Sequence, residues 1–390
     1  MKFLDLFAGI GGFRLGMESA GHECVGFCEI DKFARKSYKA IHNTEGEIEL
    51  HDITRVSNES VRRIGSVDVI CGGFPCQAFS IAGNRRGFED TRGTLFFEIA
   101  RFASILRPKY LFLENVKGLL NHDGGATFET ILGTLDELGY NVEWQVLNSK
   151  NFGVPQNRER VFIVGHLRGA GTRGVFPLSK SGQQATSIKE QYSNTITTRY
   201  GNSQGAGAYI VESKSQKVGN VNPSRKGMNG NVYSVKGLSP TLTTNKGEGV
   251  KIIQRCHGYN RGGEHEIAPT LTSNSYHENN VLKIREATKK GWTEATVGDS
   301  VNLSYPNSKT KRAVVGKSIA NTLLTSGGQG VVMPGLRIRK LTPKECWRLQ
   351  GFPDWAFDKA QEVNSNSQLY KQAGNSVTVN VIEVIAKELR

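Results

Sequence analysis

The sequence predicts an α/β protein: a mostly parallel sheet over residues 1–167, a second, smaller and irregular β-rich domain over 168–336, and a return segment at 337–390 that completes the first domain. Three observations predict it. Short apolar runs such as Val67-Asp68-Val69-Ile70 and Tyr110-Leu111-Phe112-Leu113 alternate with helical-period segments as far as about residue 166, the pattern of helices layered on a buried parallel sheet. From about Arg168 the composition turns to Gly, Ser, Thr and Asn with scattered Lys and Arg, and helical periodicity returns only at Thr342. A chain of 390 residues can bury enough apolar surface to be stable without a disulfide or metal staple.

Leu4 to Phe7 is the first strand, Gly9-Ile10-Gly11-Gly12 the turn after it, and Phe13 to Ala20 a helix stopped by Gly21. Cys24 to Ile30 makes the second strand. Further on, Leu95 to Leu106 reads as a helix ended by Pro108, Phe128 to Leu138 as one ended by Gly139, and Val161 to Val164 as a strand, each bounded by the residues that interrupt regular structure. In the return segment Thr342 is set to cap a helix with Pro343 at its first position, which satisfies N–H groups that a helix start leaves unpaired. The stretch from Val377 to Leu389 is an amphipathic helix that should pack back on the first domain, because its apolar stripe cannot be buried alone.

The inserted domain carries an approximate repeat: Asn194-Thr195-Ile196-Thr197-Thr198, Pro240-Thr241-Leu242-Thr243-Thr244, Pro269-Thr270-Leu271-Thr272-Ser273 and Asn321-Thr322-Leu323-Leu324-Thr325. Its spacing is too uneven for a regular solenoid. Each copy reads as a β-strand with its turn. One recognition surface built from repeated strands is favoured over several independent recognition elements.

Charge separates the two regions. Residues 168–340 hold 25 of the 50 Lys and Arg but only 9 of the 36 Asp and Glu, and a segment so one-sided repels itself unless a polyanion neutralises it. Nucleic acid is therefore the favoured partner, and a membrane is disfavoured because no basic amphipathic helix or long apolar run is present. The start, Met1-Lys2-Phe3-Leu4-Asp5-Leu6-Phe7, is no signal peptide, so a cytoplasmic location is expected. The six cysteines form no pair of C-x-x-C motifs, which argues against zinc and, in a reducing compartment, against disulfides.

The glycine turn lets a ligand approach both the backbone and a helix N-terminus, and Glu29, 20 residues after Gly9, stands where a carboxylate can accept both hydroxyls of a ribose. These residues alone leave dinucleotide and methyl-donor cofactors equally open. Asp52 can reach an adenine amino group, or be a cap. Pro75-Cys76-Gln77 follows the strand Val67 to Ile70, so Cys76 should stand at the carboxyl edge of the sheet, where open α/β folds bind ligands. Glu114 ends the next strand on the same edge, and Gln156-Asn157-Arg158-Glu159-Arg160 precedes another.

In this order, Asp5-Leu6-Phe7-Ala8-Gly9-Ile10-Gly11-Gly12, Pro75-Cys76-Gln77, Glu114-Asn115-Val116 and Gln156 to Arg160, followed after the insert by Arg339 to Pro353 and by Gln372-Ala373-Gly374-Asn375-Ser376-Val377, closely resemble the DNA cytosine-5 methyltransferase family of bacterial or phage type. The resemblance implies a Rossmann-like, S-adenosylmethionine-dependent methyltransferase sheet, with the basic insert as a target-recognition domain. It implies an S-adenosylmethionine site lined by Phe7, Ala8, Gly9, Ile10, Gly11, Gly12, Glu29, Ile30, Asp52, Ile53, Pro75, Leu95, Asn375 and Ser376, with no metal.

The chemistry implied by the resemblance accounts for the other residues. Carbon 5 of cytosine is a poor nucleophile, so a thiolate from Cys76 adds to carbon 6 and creates an enamine-like intermediate. Charge that builds in the ring is relieved if a protonated Glu114 donates to ring nitrogen 3, which requires a raised carboxyl pKa. Arg160 would hold the ring carbonyl with Arg158 beside it; for both arginines a phosphate contact or structural ion pair is the other reading. No residue is assigned to removing the carbon-5 proton, and water is one candidate. The base must leave the stack to react. Gln77 to Arg92 suits a mobile loop closing on DNA, with Ser80, the pair Arg85-Arg86, hinge candidates Gly83 and Gly87, and Arg92 as a phosphate contact. Double-stranded DNA is the implied partner of a monomer, with or without a cognate restriction endonuclease. The competing readings are an RNA cytosine methyltransferase of the same architecture and a non-catalytic DNA-binding relative; an NAD-dependent enzyme has no use for Cys76.

Overall fold

A computed structural model describes residues 1–75, 95–178, 281–304, 310 and 314–390, together with the backbone of short strands at 217–220, 231–233, 251–254, 263–265 and residue 280. The first region is built on β1 (Lys2–Leu6), β2 (Glu23–Cys28), β3 (Ile48–Leu50), β4 (Val69–Gly73), β5 (Tyr110–Val116), β6 (Tyr140–Asn148) and β7 (Glu159–Leu167). They form one seven-stranded sheet in the order β3-β2-β1-β4-β5-β7-β6. The first five strands run parallel, while β7 lies antiparallel to both β5 and β6. A reversal of strand order beside β1 leaves a crevice at the carboxyl ends of β1 and β4, the position where such sheets take ligands.

Layering explains the apolar runs. Leu4 and Leu6 pack on one face with Ile70, Leu111, Phe96, Phe102 and Ile131, whereas Phe3 packs on the other with Phe13, Val69, Phe112, Phe162 and Ile382, as side chains on a strand alternate. The first face is covered by α4 (Leu95–Leu106) and α5 (Ala126–Glu137), and α1 (Gly12–Ser19) lies on the second. Between β2 and β3 runs α2 (Lys32–Ile41), whose N-cap Asp31 accepts from the backbone N–H groups of Phe33 and Ala34. A short α3 (Asn58–Arg62), capped by Ser57, precedes β4.

The second region is antiparallel. β8 (Lys217–Asn220) and β9 (Asn231–Tyr233) form a two-stranded sheet, and β10 (Lys251–Gln254), β11 (Gly263–His265), β12 (Asn280–Arg285) and β13 (Trp292–Ala295) form a separate one in the order β11-β10-β12-β13. A further sheet of β14 (Ser300–Asn302), β15 (Val315–Gly316), β16 (Gln329–Met333) and β17 (Arg337–Lys340) follows. Leu282, Ile284, Ala295, Val301, Val332 and Leu336 form a small core of its own.

One expectation for the repeat is corrected. The fourth copy, Asn321 to Thr325, is not a strand. Its groups are spent on the catalytic-side segment instead: Thr322 Oγ1 donates to the Asn157 carbonyl at 2.8 Å, the Leu323 N–H reaches Gln156 Oε1, and Ala320 just before it exchanges backbone bonds with Pro155 and Asn157. The bonds of Ala320 make one isolated parallel bridge to Gln156, which does not extend into the copy as a ladder. The other three copies lie outside the described residues.

The return segment holds α6 (Pro343–Leu349), α7 (Asp354–Val363), α8 (Asn366–Asn375) and α9 (Val379–Ala386). Thr342 caps α6 with a full capping box, its side chain and that of Glu345 satisfying each other's backbone N–H, the arrangement that Thr and Glu three apart encode. On the second sheet face α9 lies against α1 so closely that a Cβ added at Gly16 would sit 2.6 Å from Ile382 Cβ.

Candidate active site

The glycine turn leaves β1 through three consecutive odd positions of left-handed backbone: Phe7 (φ 55), Gly9 (φ 58) and Gly11 (φ 84). Phe7 is the strained one, since a bulky residue rarely takes positive φ. Ala8 and Ile10 are buried, and the turn is tied back by Ala8 N–H to the Cys28 carbonyl at 3.0 Å. Gly11 serves as N-cap of α1; a Cβ there would run into the imidazole of His42, which packs beneath the turn. Beside Gly9 the space is open.

Glu29 is fixed by two backbone donors, Gly9 N–H at 2.8 Å and Asp31 N–H at 2.7 Å. Burial pushes its pKa up while those two donors pull it down. Next to it Ile30 leaves 67% of its surface exposed, unusual for a large apolar residue beside a half-buried carboxylate. Asp52 caps the single turn Ile53–Arg55, accepting from the hydroxyl of Thr54 at 2.7 Å and its N–H at 3.1 Å. The Thr54 hydroxyl bond is the main cause of its lowered pKa. Ile53 is buried. From the return segment Ser376 abuts the turn, its Oγ 2.9 Å from where a Cβ on Gly12 would lie; Ser376 is buried and Asn375 exposed.

The neighbouring strand ends carry a second cluster. In the parallel pair Gly73 lies opposite Glu114, and the missing side chain of Gly73 leaves room for the carboxylate, whose Oε2 would sit 3.1 Å from an added Cβ. Glu114 pairs with Arg160 Nε at 2.9 Å. Its pKa is raised because burial outweighs the opposing pull of Arg160 and Arg158. Arg158 is 3% exposed, donates through Nη2 to the carbonyls of Ser376 at 2.7 Å and Gly374 at 3.4 Å, and has buried Nε and Nη1 without a partner among the described residues. Burial first, then the neighbouring charge of Arg160, lowers its pKa to about 9.

Pro75 is exposed at the end of the strand exit and Leu95 opens α4. Cys76, Gln77, Ser80, Arg85, Arg86 and Arg92, which lie between them in sequence, fall outside the described residues. The sequence assigns no role to two further contributors. Asn115 donates from Nδ2 to the Phe74 carbonyl at 2.9 Å, tethering the chain just before Pro75-Cys76; its place between Glu114 and Val116 is the only hint. His42 sits on a helix end with nothing to mark it. Among the described residues no group of three or more His, Cys, Asp or Glu could hold a metal ion, and no helix is long and apolar enough to cross a membrane.

Comparison with known proteins fits this geometry. The chain is 37% identical to the orphan methyltransferase M.SPRI of Bacillus phage SPR, covering 100% of this chain and 97% of that protein. It is 36% identical to the type II methyltransferase M.HpaII of Haemophilus parainfluenzae over 99% of this chain and 88% of the relative. A solved structure of a Spodoptera frugiperda DNMT2 variant superimposes with a TM-score of 0.53 at 17% identity, covering 98% of this chain and 97% of that one, a likeness of fold. The model of the C-5 cytosine-specific DNA methylase family matches residues 1–390, and with the two clusters on one sheet edge it follows that this chain belongs to that family and is a DNA cytosine-5 methyltransferase.

Proposed function

We propose that the chain methylates carbon 5 of a cytosine flipped out of a specific short duplex DNA sequence, through a covalent adduct with Cys76 and with S-adenosylmethionine as donor. The observation that carries this reading is the joining of the two clusters: Ser376 abuts the glycine turn through Oγ and receives Arg158 Nη2 on its carbonyl at 2.7 Å, and Arg158 belongs to the same segment as Arg160, the partner of Glu114.

The residues present fit an adenosyl donor. The open space beside Gly9 admits a ligand to the backbone, Glu29 retains lone pairs for ribose hydroxyls, and exposed Ile30 offers an apolar ledge to a base. Phe7, Asp52, Ile53, Pro75, Leu95, Asn375 and Ser376 complete the lining in this reading. When bound, S-adenosylmethionine supplies the electrophilic methyl group that carbon 5 takes up.

Each remaining role belongs to the chain itself. The thiolate of Cys76 forms a bond to carbon 6 of the ring, and the electron pair of the 5,6 double bond moves to carbon 5. Glu114 in its protonated form donates to nitrogen 3. In the free protein Arg160 holds that carboxyl toward its ionised form; when Arg160 turns to the ring carbonyl, the upward push of burial is left unopposed by its nearest cation, and the carboxyl takes up the proton it needs. After methylation a base removes the carbon-5 proton and the thiolate leaves carbon 6, restoring the double bond. Gln77, Ser80, Arg85, Arg86 and Arg92 hold the DNA while the base is out of the stack, a few kcal/mol being needed to extract it.

Transfer of labelled methyl from S-adenosylmethionine to duplex DNA of mixed sequence tests this, run beside Cys76→Ser and beside structured RNA. Label at carbon 5 of DNA cytosine, lost in Cys76→Ser, is the expected result. Label confined to RNA, or retained in Cys76→Ser, overturns it.

A further inference from the structure

The loop after β2 carries two carbonyls that no strand partners. The Glu29 N–H still reaches the Leu50 carbonyl, but β3 pairs no further than Cys28, so the carbonyls of Glu29 and Ile30 project beyond the sheet. One side chain takes both. Arg35, in the first turns of α2, donates from Nη1 to the Glu29 carbonyl at 2.7 Å and to the Ile30 carbonyl at 2.8 Å. Its Nε lies 3.8 Å from Glu49 Oε1, and Glu49 in turn holds Lys39 at 2.7 Å. Arg35 keeps only 18% of its side chain exposed. In sequence it stands among Lys32, Lys36 and Lys39 and looks like one more solvated cation; in the structure it is the one that turns inward.

We infer that Arg35 is a positioning residue for cofactor binding: by clamping both carbonyls it sets the direction of the Glu29 carboxylate and of the Ile30 ledge. The inference rests on the proposed adenosyl site. Holding two successive carbonyls restricts the backbone rotations that aim both side chains, so the carboxylate meets Gly9 and Asp31 before any ligand arrives, and less ordering is left for binding to accomplish. The other side of the loop is braced by the return segment, through Lys371 to Asp31 at 2.7 Å and Gln372 to the Phe33 carbonyl at 3.1 Å. Those braces hold α2; among the described residues Arg35 is the side chain that grips the backbone of both residues that would touch the ligand. Both bonds come from Nη1, whose hydrogens are fixed in the guanidinium plane, whereas an ammonium is a single point of charge on a flexible stem.

Calorimetric binding of S-adenosylhomocysteine to the full chain tests the clamp, with wild type, Arg35→Ala, Arg35→Lys and Glu49→Gln compared. Arg35→Ala should raise Kd roughly tenfold, equivalent to about 1.4 kcal/mol, and Arg35→Lys should recover part of the loss. Glu49→Gln, which leaves the clamp in place but unsteered, should lie between wild type and Arg35→Ala, and serves if the alanine variant is unstable. In turnover the defect should appear in KM for the donor rather than in kcat, a split that general loosening of the fold does not give. Unchanged Kd in Arg35→Ala and Glu49→Gln overturns the clamp alone. Failure of the wild type to bind overturns the adenosyl site and the clamp with it.

Discussion

Arg158 Nη2 donates to the carbonyl oxygen of Ser376 at 2.7 Å, joining β7's approach to the start of the last helix across a chain separation of 218 residues. The bond distinguishes the two arginines of the Arg158-Glu159-Arg160 motif: one is buried in the junction of the return segment, the other is paired with Glu114 at the sheet edge.

Their variants should separate accordingly. Arg158→Ala leaves the carbonyls of Gly374 and Ser376 without their donor and removes a cation near Glu114, so it should cost about 3 kcal/mol of stability, measured as a lower urea midpoint, and lose activity as a consequence. Arg160→Ala unpairs the Glu114 carboxyl, which offsets part of the cost by taking up a proton, so it should lower the midpoint less than Arg158→Ala and depress kcat by about a hundredfold. Similar midpoints for the two variants would contradict the division.

The pH dependence of turnover should identify Glu114. Burial raises its pKa, and the proposed role needs the protonated form, so activity should decline as pH rises through that raised value and be sustained below it. Glu114→Gln can still donate to nitrogen 3 from its amide but cannot titrate. Its kcat, though lower, should lose the alkaline decline; a decline that persists unchanged in Glu114→Gln assigns it to another group.

Much of this was legible in the sequence because it rests on local rules. The strand, glycine turn and helix at Leu4 to Ala20 announce themselves by apolar pattern and by residues that permit the turn, and α4 and the capping of α6 follow from hydrophobic period and from Thr342-Pro343. What stayed hidden depends on distant partners. The long hairpin of β6 and β7 pairs antiparallel with a parallel sheet, an orientation no period encodes. The fourth Thr-rich copy has the composition of a strand, yet it is tied to the segment before β7 by Leu323 N–H to Gln156, by the Thr322 hydroxyl to Asn157 and by the backbone of Ala320 just before it. Cys76, Glu114 and Arg160 stand out as residue types at motif spacing, whereas Arg35, His42 and Asn115 act through backbone carbonyls and packing, which residue type alone does not announce.

Gly11 supplies a steric prediction. At φ 84 any side chain is strained, and a Cβ would strike His42. Gly11→Ala should therefore destabilise the protein by about 2 kcal/mol and weaken S-adenosylhomocysteine binding more than it weakens DNA binding, as read by calorimetry and by gel shift. Equal losses for both ligands would mean that the turn serves only the fold.

His42 supplies the last. Burial, then the charge of Arg14, depresses its pKa from 6.5 to about 3, and its ring stacks at a tilt on Tyr38 with centroids 4.7 Å apart. A histidine held neutral in the fold but free to protonate when unfolded makes the unfolded state bind more protons between those two values, so stability must rise with pH across that window. Its contribution is whole above 6.5 and is lost progressively as pH falls toward about 3. His42→Phe keeps a ring beneath the glycine turn without a titratable nitrogen. Between pH 7 and pH 5 the melting temperature of the wild type should fall more steeply than that of His42→Phe, and parallel falls would show that other groups account for the acid sensitivity.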